Sequence, residues 1–196
     1  MILVIATHNA HKAQEIEAFF HDSDLKLTCK SLDDIGFGQN IVEDALSFDG
    51  NALKKAKLVA QHTHHWVLAD DSGLCVDALD QKPGIYSARY AHEHATDQEN
   101  VVKLLSDIET FPSKAHYHCS MVCMRHEDKV YTTRGAVNGH IISSPKGEGG
   151  FGYDPVFFLP NLGQTMAQLT FEDKTKLSHR TQALQDMAHL LKTHVL

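Results

Sequence analysis

Residues 2–6 read Ile-Leu-Val-Ile-Ala, five apolar side chains with no polar one among them. A strand with one face in water alternates apolar with polar residues, so an unbroken apolar run reads as a buried strand. A second such run, Trp66 to Ala69, ends at Asp70-Asp71. Helical patterns lie between them. Ala10 to Phe20 places Ile16, Phe19 and Phe20 on one side, and Ser47 or Asp49 caps a second helix running to about Gln61. Leu74 to Leu79 reads as a short strand and Lys82-Pro83-Gly84 as a turn. Thr96-Asp97-Gln98-Glu99 is a capping box ahead of the stripe Val101, Val102, Leu104, Leu105 and Ile108.

Residues 115–124 and 129–137 read as antiparallel strands joined by a polar turn at His126-Glu127-Asp128, with Val156 to Leu159 as a further strand. Ala183, Leu184, Met187, Leu190 and Leu191 mark a last amphipathic helix. Helices and strands alternate early, and strands cluster late. That order predicts an α/β fold on a mixed sheet, as one domain over residues 1–196 or one domain folded as two lobes.

The formal net charge of -7, with fifteen histidines counted neutral, argues against an extended nucleic-acid footprint, which rests on many lysine and arginine contacts. A small polyanion such as a nucleotide remains possible if a few local cations or a metal meet its charge. No stretch is long or apolar enough to span a bilayer, and the first residues lack the basic start of a signal peptide, so a cytoplasmic protein is expected. Cys29, Cys75, Cys119 and Cys123 form no CxxC pair and read as reduced core thiols. His116 and His118 would share a strand face, but no acidic or cysteine partner stands at ligand spacing.

Between Gly147 and Gly152 four of six residues are glycine, in the run Gly-Glu-Gly-Gly-Phe-Gly-Tyr-Asp-Pro. Glycine costs roughly 0.5–1 kcal/mol of ordering entropy relative to alanine, so such a run marks a sharp turn or backbone lying against a ligand. Phe151 can stack on a base and Asp154 can accept from one. A plain hairpin with a glycine bulge is the competing reading.

Asp70-Asp71-Ser72-Gly73 is predicted at the carboxyl end of a buried strand, where ligands bind in open α/β sheets; an aspartate pair capping a turn is the alternative. Neighbouring residues of a strand point to opposite sides, so one of the two aspartates at most faces a ligand. Hard oxygen donors of this kind favour magnesium. Thr7-His8-Asn9-Ala10-His11-Lys12 sets donors between a strand and a helix start, a place that attracts anions. If Asn9 is the N-cap, Lys12 lies in the first turn, where the dipole disfavours a cation unless an anion sits beside it. Lys174 and Ser178-His179-Arg180 supply cations and donors ahead of the last helix, with a solvated basic face as the alternative.

In this order, Thr7-x-Asn9-x-x-Lys12, Asp70-Asp71-Ser72-Gly73-Leu74, Pro83-Gly84-Ile85-Tyr86-Ser87-Ala88-Arg89, Gly149-Gly150-Phe151-Gly152-Tyr153-Asp154-Pro155 and Ser178-His179-Arg180 closely resemble the inosine triphosphate pyrophosphatase family. The resemblance spans nearly the whole chain. It implies magnesium-dependent hydrolysis of ITP, dITP and XTP to monophosphate and pyrophosphate, cleansing the nucleotide pool. It further implies an elongated mixed β-sheet flanked by helices, two lobes with the active site in the cleft between them, and a homodimer. By matching position, Asp71 would be the catalytic carboxylate and, with Glu43, a ligand of Mg2+. Thr7, His8, Asn9, Ala10, His11, Lys12, Ser72 and Lys174 would hold phosphates and sugar. Phe151, Gly152, Tyr153 and Asp154, with His179 and Arg180, would hold the base.

The chain departs from the family pattern at His8, where glycine is usual, and at Gly50, where a glutamate is usual. The missing glutamate would have completed a capping box with Ser47; if it assists the metal in relatives, Asp49 could partly replace it. Two rival readings are a purine nucleotide sensor without turnover and a pyrophosphatase for modified pyrimidine nucleotides.

Overall fold

The computed structural model describes residues 1–126 and 129–195. Seven strands, β1 (Ile2–Ile5), β2 (Thr28–Lys30), β3 (Trp66–Val76), β4 (Ser113–Met124), β5 (Tyr131–Ile141), β6 (Phe157–Leu159) and β7 (Gln164–Thr165), form one sheet in the order β2-β1-β3-β4-β5-β6-β7. The helices are α1 (Ala10–His21), α2 (Phe48–Ala60), α3 (Asp97–Asp107), α4 (Phe171–Leu177) and α5 (His179–His194). β1 pairs in parallel with β2 and β3, whereas β6 pairs antiparallel with β5 and β7, so the sheet is mixed as expected. Of the turn expected at His126-Glu127-Asp128, the last two residues lie outside the described residues.

The chain divides into two compact units. The first comprises Met1–Asp71, Cys119–Gly135 and Arg180–Leu196. β1 and the Trp66–Ala69 part of β3 are apolar because both of their faces are covered. Leu3, Ile5 and Leu68 pack with Ile16 and Phe20 of α1 and Ala183, Leu184 and Met187 of α5, while Val4, Val67 and Ala69 pack with Ala52, Ala56 and Val59 of α2.

The second unit comprises Ser72–His118 and Ala136–His179. Its core joins Leu74 and Val76 of β3 to Val101, Leu104 and Ile108 of the α3 segment, and to Tyr153, Phe157 and Met166. The expected capping box is present: Thr96 Oγ1 accepts from Glu99 N, and Glu99 accepts from Thr96 N at 2.8 Å. Cys75, Cys119 and Cys123 are buried free thiols.

One element differs from expectation in a way that bears on chemistry. The two strands expected on either side of Asp70-Asp71 are one continuous strand, β3, and the aspartates lie inside it rather than at its end. The polar pair looks like a break in a hydrophobic run, yet strand geometry continues because each carboxylate finds a buried cation.

Candidate active site

Strand alternation sends the two aspartates to opposite faces of β3 in the first unit. Asp70 follows Leu68 to the face covered by α1 and α5. There Lys12 Nζ lies 3.1 Å from Asp70 Oδ2, and Arg180 Nη2 and Nε each lie 3.3 Å from the same oxygen. The third guanidinium nitrogen of Arg180, Nη1, binds Glu15. Glu15 stands three residues after Lys12 and so on the same side of α1. Burial pushes the Asp70 carboxyl up, but Lys12, Arg180 and Lys55 outweigh it and hold the group well below the usual carboxylate range.

Thr7 and Asn9 build the entry to α1. Thr7 Oγ1 accepts from Asn9 N at 3.1 Å, and Asn9 Oδ1 accepts from Lys12 N at 3.1 Å, so Asn9 is the N-cap. The anion that a first-turn lysine requires is Asp70. His8, Asn9, Ala10 and His11 are exposed, Thr7 and Lys12 half-buried.

Asp71 follows Val67 and Ala69 to the α2 face. Asn51 Nδ2 donates to Asp71 Oδ2 at 2.9 Å, and Lys55 Nζ lies 3.8 Å from Asp71 Oδ1 and 2.7 Å from Glu43 Oε1. The two carboxylates expected at a metal thus share one buried ammonium. Burial raises the Asp71 pKa, with Glu43 adding to the rise and Lys55 and Lys12 opposing it. Asn51 Oδ1 accepts from Ala45 N at 2.9 Å, tying the segment that carries Glu43 to α2. Gly50 permits that approach, since a Cβ there would meet Ala45 Cβ at 2.8 Å.

The Asp49 carboxylate accepts from Ser120 Oγ at 2.6 Å and pairs with Arg134. Ser47, not Asp49, caps α2, accepting from Gly50 N at 3.1 Å. Lys55, Asn51 and Glu15 were not singled out from sequence. Their signal was spacing: Asn51 and Lys55 are four apart on one helix face, Lys12 and Glu15 three apart on another.

In the second unit the glycine run is a bent loop, not a regular hairpin. Gly150 has φ +74°, and a Cβ there would fall 2.1 Å from Asp154 Oδ2. Asp154 is only 3% exposed and accepts from Phe151 N at 2.9 Å, Lys174 Nζ at 2.7 Å and Tyr117 Oη at 3.2 Å. Burial raises its pKa against the pull of Lys174. Lys174 Nζ also stands 4.2 Å from the centroid of the half-buried Phe151 ring, a cation–π contact. His179 stacks on Tyr117 with centroids 4.8 Å apart and planes 10° from parallel.

Several of the expected site residues make internal contacts in this structure. Arg180, expected at the base beside His179, is 1% exposed and pairs with Glu15 and Asp70 in the first unit. Lys174, expected at phosphate, is bound into the Phe151–Asp154 cluster. Tyr153 donates its hydroxyl to Ser87 O at 2.8 Å and its ring belongs to the core. Ser87 Oγ in turn accepts from Leu74 N at 2.9 Å, which makes the Pro83–Arg89 segment a structural brace. Gly152 N donates to Asp97 Oδ2 at 2.6 Å, and Ser72 is half-buried on β3.

The sequence profile of the Ham1 family matches residues 3–190. This chain belongs to the Ham1 family. Among its Ham1 relatives, one from Geobacter sulfurreducens named dITP/XTP pyrophosphatase is 46% identical over 98% of this chain and 96% of its own. A solved HAM1 protein from Coxiella burnetii superimposes with a TM-score of 0.90 at 33% identity, covering 98% of this chain and 99% of that one. The Ham1 protein of Staphylococcus aureus gives 0.87 at 34% identity with the same coverage.

Proposed function

We propose that this Ham1 protein hydrolyses ITP, dITP and XTP to the nucleoside monophosphate and pyrophosphate with Mg2+ as cofactor, and so removes non-canonical purines from the nucleotide pool. The observation that carries the reading is the convergence of Asp71 and Glu43 on Lys55, in a chain whose relatives are named dITP/XTP pyrophosphatases. Two hard carboxylates already gathered at one positive charge suit magnesium, which takes one or two protein carboxylates and leaves other positions to water and phosphate.

A bound Mg2+ would polarise phosphate oxygens and acidify a water. Asp71 would orient that water. Asn51 fixes which Asp71 oxygen is engaged. Lys12, held by Asp70, offers its charge to the polyphosphate at the α1 N-terminus, and Lys55 offers a second. Thr7, Asn9 and the exposed residues to His11 line that entry.

The second unit's cluster is assigned to the base. Hypoxanthine and xanthine carry a C6 carbonyl, which accepts, where adenine carries an amino group, which donates. Lys174, His179 and loop N–H groups are donors, so adenine would leave them unpaired. Phe151 supplies a stacking face. Arg180 acts from beneath Asp70 in this scheme and leaves the base to His179. A homodimer, implied by the family resemblance, and a cytoplasmic location belong to the same proposal; light scattering returning the mass of one chain would remove the dimer.

Pyrophosphate release from ITP, XTP, dITP, GTP, ATP and modified pyrimidine triphosphates, with Mg2+ and with chelator, tests the reading. Turnover of ITP and XTP well above ATP, lost with chelator, is expected. Binding without release would identify a sensor, and preference for a pyrimidine would identify the other pyrophosphatase.

A further inference from the structure

Tyr117 lies on β4 between His116 and His118, which are half-buried, and is itself only 7% exposed. Its ring packs at 4.5 Å against Phe157 and stacks on His179 at 4.8 Å, and its hydroxyl donates to Asp154 Oδ1 at 3.2 Å. The other oxygen of Asp154 receives Phe151 N and Lys174 Nζ, and that same ammonium covers the Phe151 ring. One side chain therefore touches two groups assigned to the base and, through Asp154, two more. Filling the space against Phe157 needs only an aromatic ring; the hydroxyl adds a donor aimed at a carboxylate.

We propose that Tyr117 is a positioning residue for base selectivity: its ring sets the plane of His179, and its hydroxyl sets the Asp154 carboxylate that anchors Lys174 over Phe151. Burial pushes the phenol well above its usual range, so the hydroxyl stays a donor at all working pH values. Without that donor, Asp154 Oδ1 loses its bond from Tyr117 in a site where burial already opposes its charge. Lys174 then loses the fixed point that places it.

The inference rests on the assignment of this cluster to the base, and the test separates the two. Tyr117→Phe keeps the ring and removes the donor; Tyr117→Leu removes both. Three readouts apply to each: the melting temperature, the ratio of kcat/KM for ITP to that for ATP, and the His179 ring proton shifts, assigned by difference from His179→Gln. Tyr117→Phe should keep the upfield ring-current shift of His179 and lower the ITP:ATP ratio about tenfold, mainly through KM for ITP, as loss of one hydrogen bond to a charged group implies. Tyr117→Leu should also move the His179 protons toward free-histidine positions.

Equal losses for ITP and ATP, or a ratio within about twofold of wild type in Tyr117→Phe, would overturn the positioning role. If wild type shows no preference for ITP, the functional reading fails, and so does selectivity as Tyr117's task; the proton shifts then decide alone whether Tyr117 holds His179. If Tyr117→Leu does not fold, Tyr117→Phe, which differs by one oxygen, decides the case.

Discussion

Replacing Arg180 by Met would leave Glu15 and Asp70 buried on the α1 and α5 side of the sheet with Lys12 as their nearby cation. Arg180 and Asp70 are each 1% exposed and Glu15 is 5% exposed, so water can do little to compensate. Removing one partner from such a buried ionic group costs about 3–5 kcal/mol, because a charge is left uncompensated. For a chain of this size each kcal/mol moves the melting temperature by about 2–4 °C, so a fall of roughly 6–20 °C is expected.

The pH dependence sharpens the test. In the wild type, burial pushes Asp70 up while Lys12, Arg180 and Lys55 push it further down, so its folded pKa lies below its unfolded one. The stability it contributes is present above about pH 4 and is lost only as pH falls through the folded value, far into acid. Without Arg180, Lys12 and Lys55 remain as the cations that lower Asp70, so its folded pKa moves up toward the unfolded value and it contributes less stability. That contribution is present above about pH 4 in both proteins, so thermal melts should show the deficit of Arg180→Met nearly constant between pH 8 and pH 5 and shrinking only below about pH 4. Adding Glu15→Gln should restore part of it. A drop below about 3 °C would refute the assignment of Arg180 as a counter-charge of Asp70.

Asp71→Asn, which keeps an acceptor for Asn51, should lower kcat about a hundredfold or more while the melting curve is unchanged or slightly raised; near-normal turnover would remove its catalytic role. Gly150→Ala should cost about 1–3 kcal/mol in a urea melt and raise KM for ITP, because its Cβ meets Asp154. Gly152→Ala, with φ +62° but no atom within 4 Å of its Cβ, should cost only about 1–2 kcal/mol; equal damage would show that backbone strain, not the Asp154 contact, is what Gly150 relieves. Lys55→Met should slow turnover yet tighten Mg2+ binding roughly tenfold by calorimetry, since its ammonium competes for Glu43 and Asp71. Weaker Mg2+ binding in that variant would mean that Lys55 organises the carboxylates rather than occupying their place.

Local pattern carried much of the fold. The unbroken apolar runs at Ile2 and Trp66 needed two covered faces and found them, and the Asn9, Ser47 and Thr96 caps form where their spacing places them. β2 and β7, of three and two residues, were not legible, since strands so short exist only through pairing with neighbours. Motif order likewise picked out the residues around which each cluster forms. What a sequence could not assign was the partner of each charge. Asp70 and Asp71 are adjacent in the chain, yet pleating sends one to Lys12 and Arg180 and the other to Asn51 and Lys55. Arg180 is paired with Asp70 and Lys174 with Asp154, partners that no local pattern named. Residue type and helical or strand period are local properties, set by neighbours in the chain. Which buried charge is neutralised by which depends on segments more than a hundred residues apart, as for Asp70 and Arg180, and tertiary packing alone brings them together.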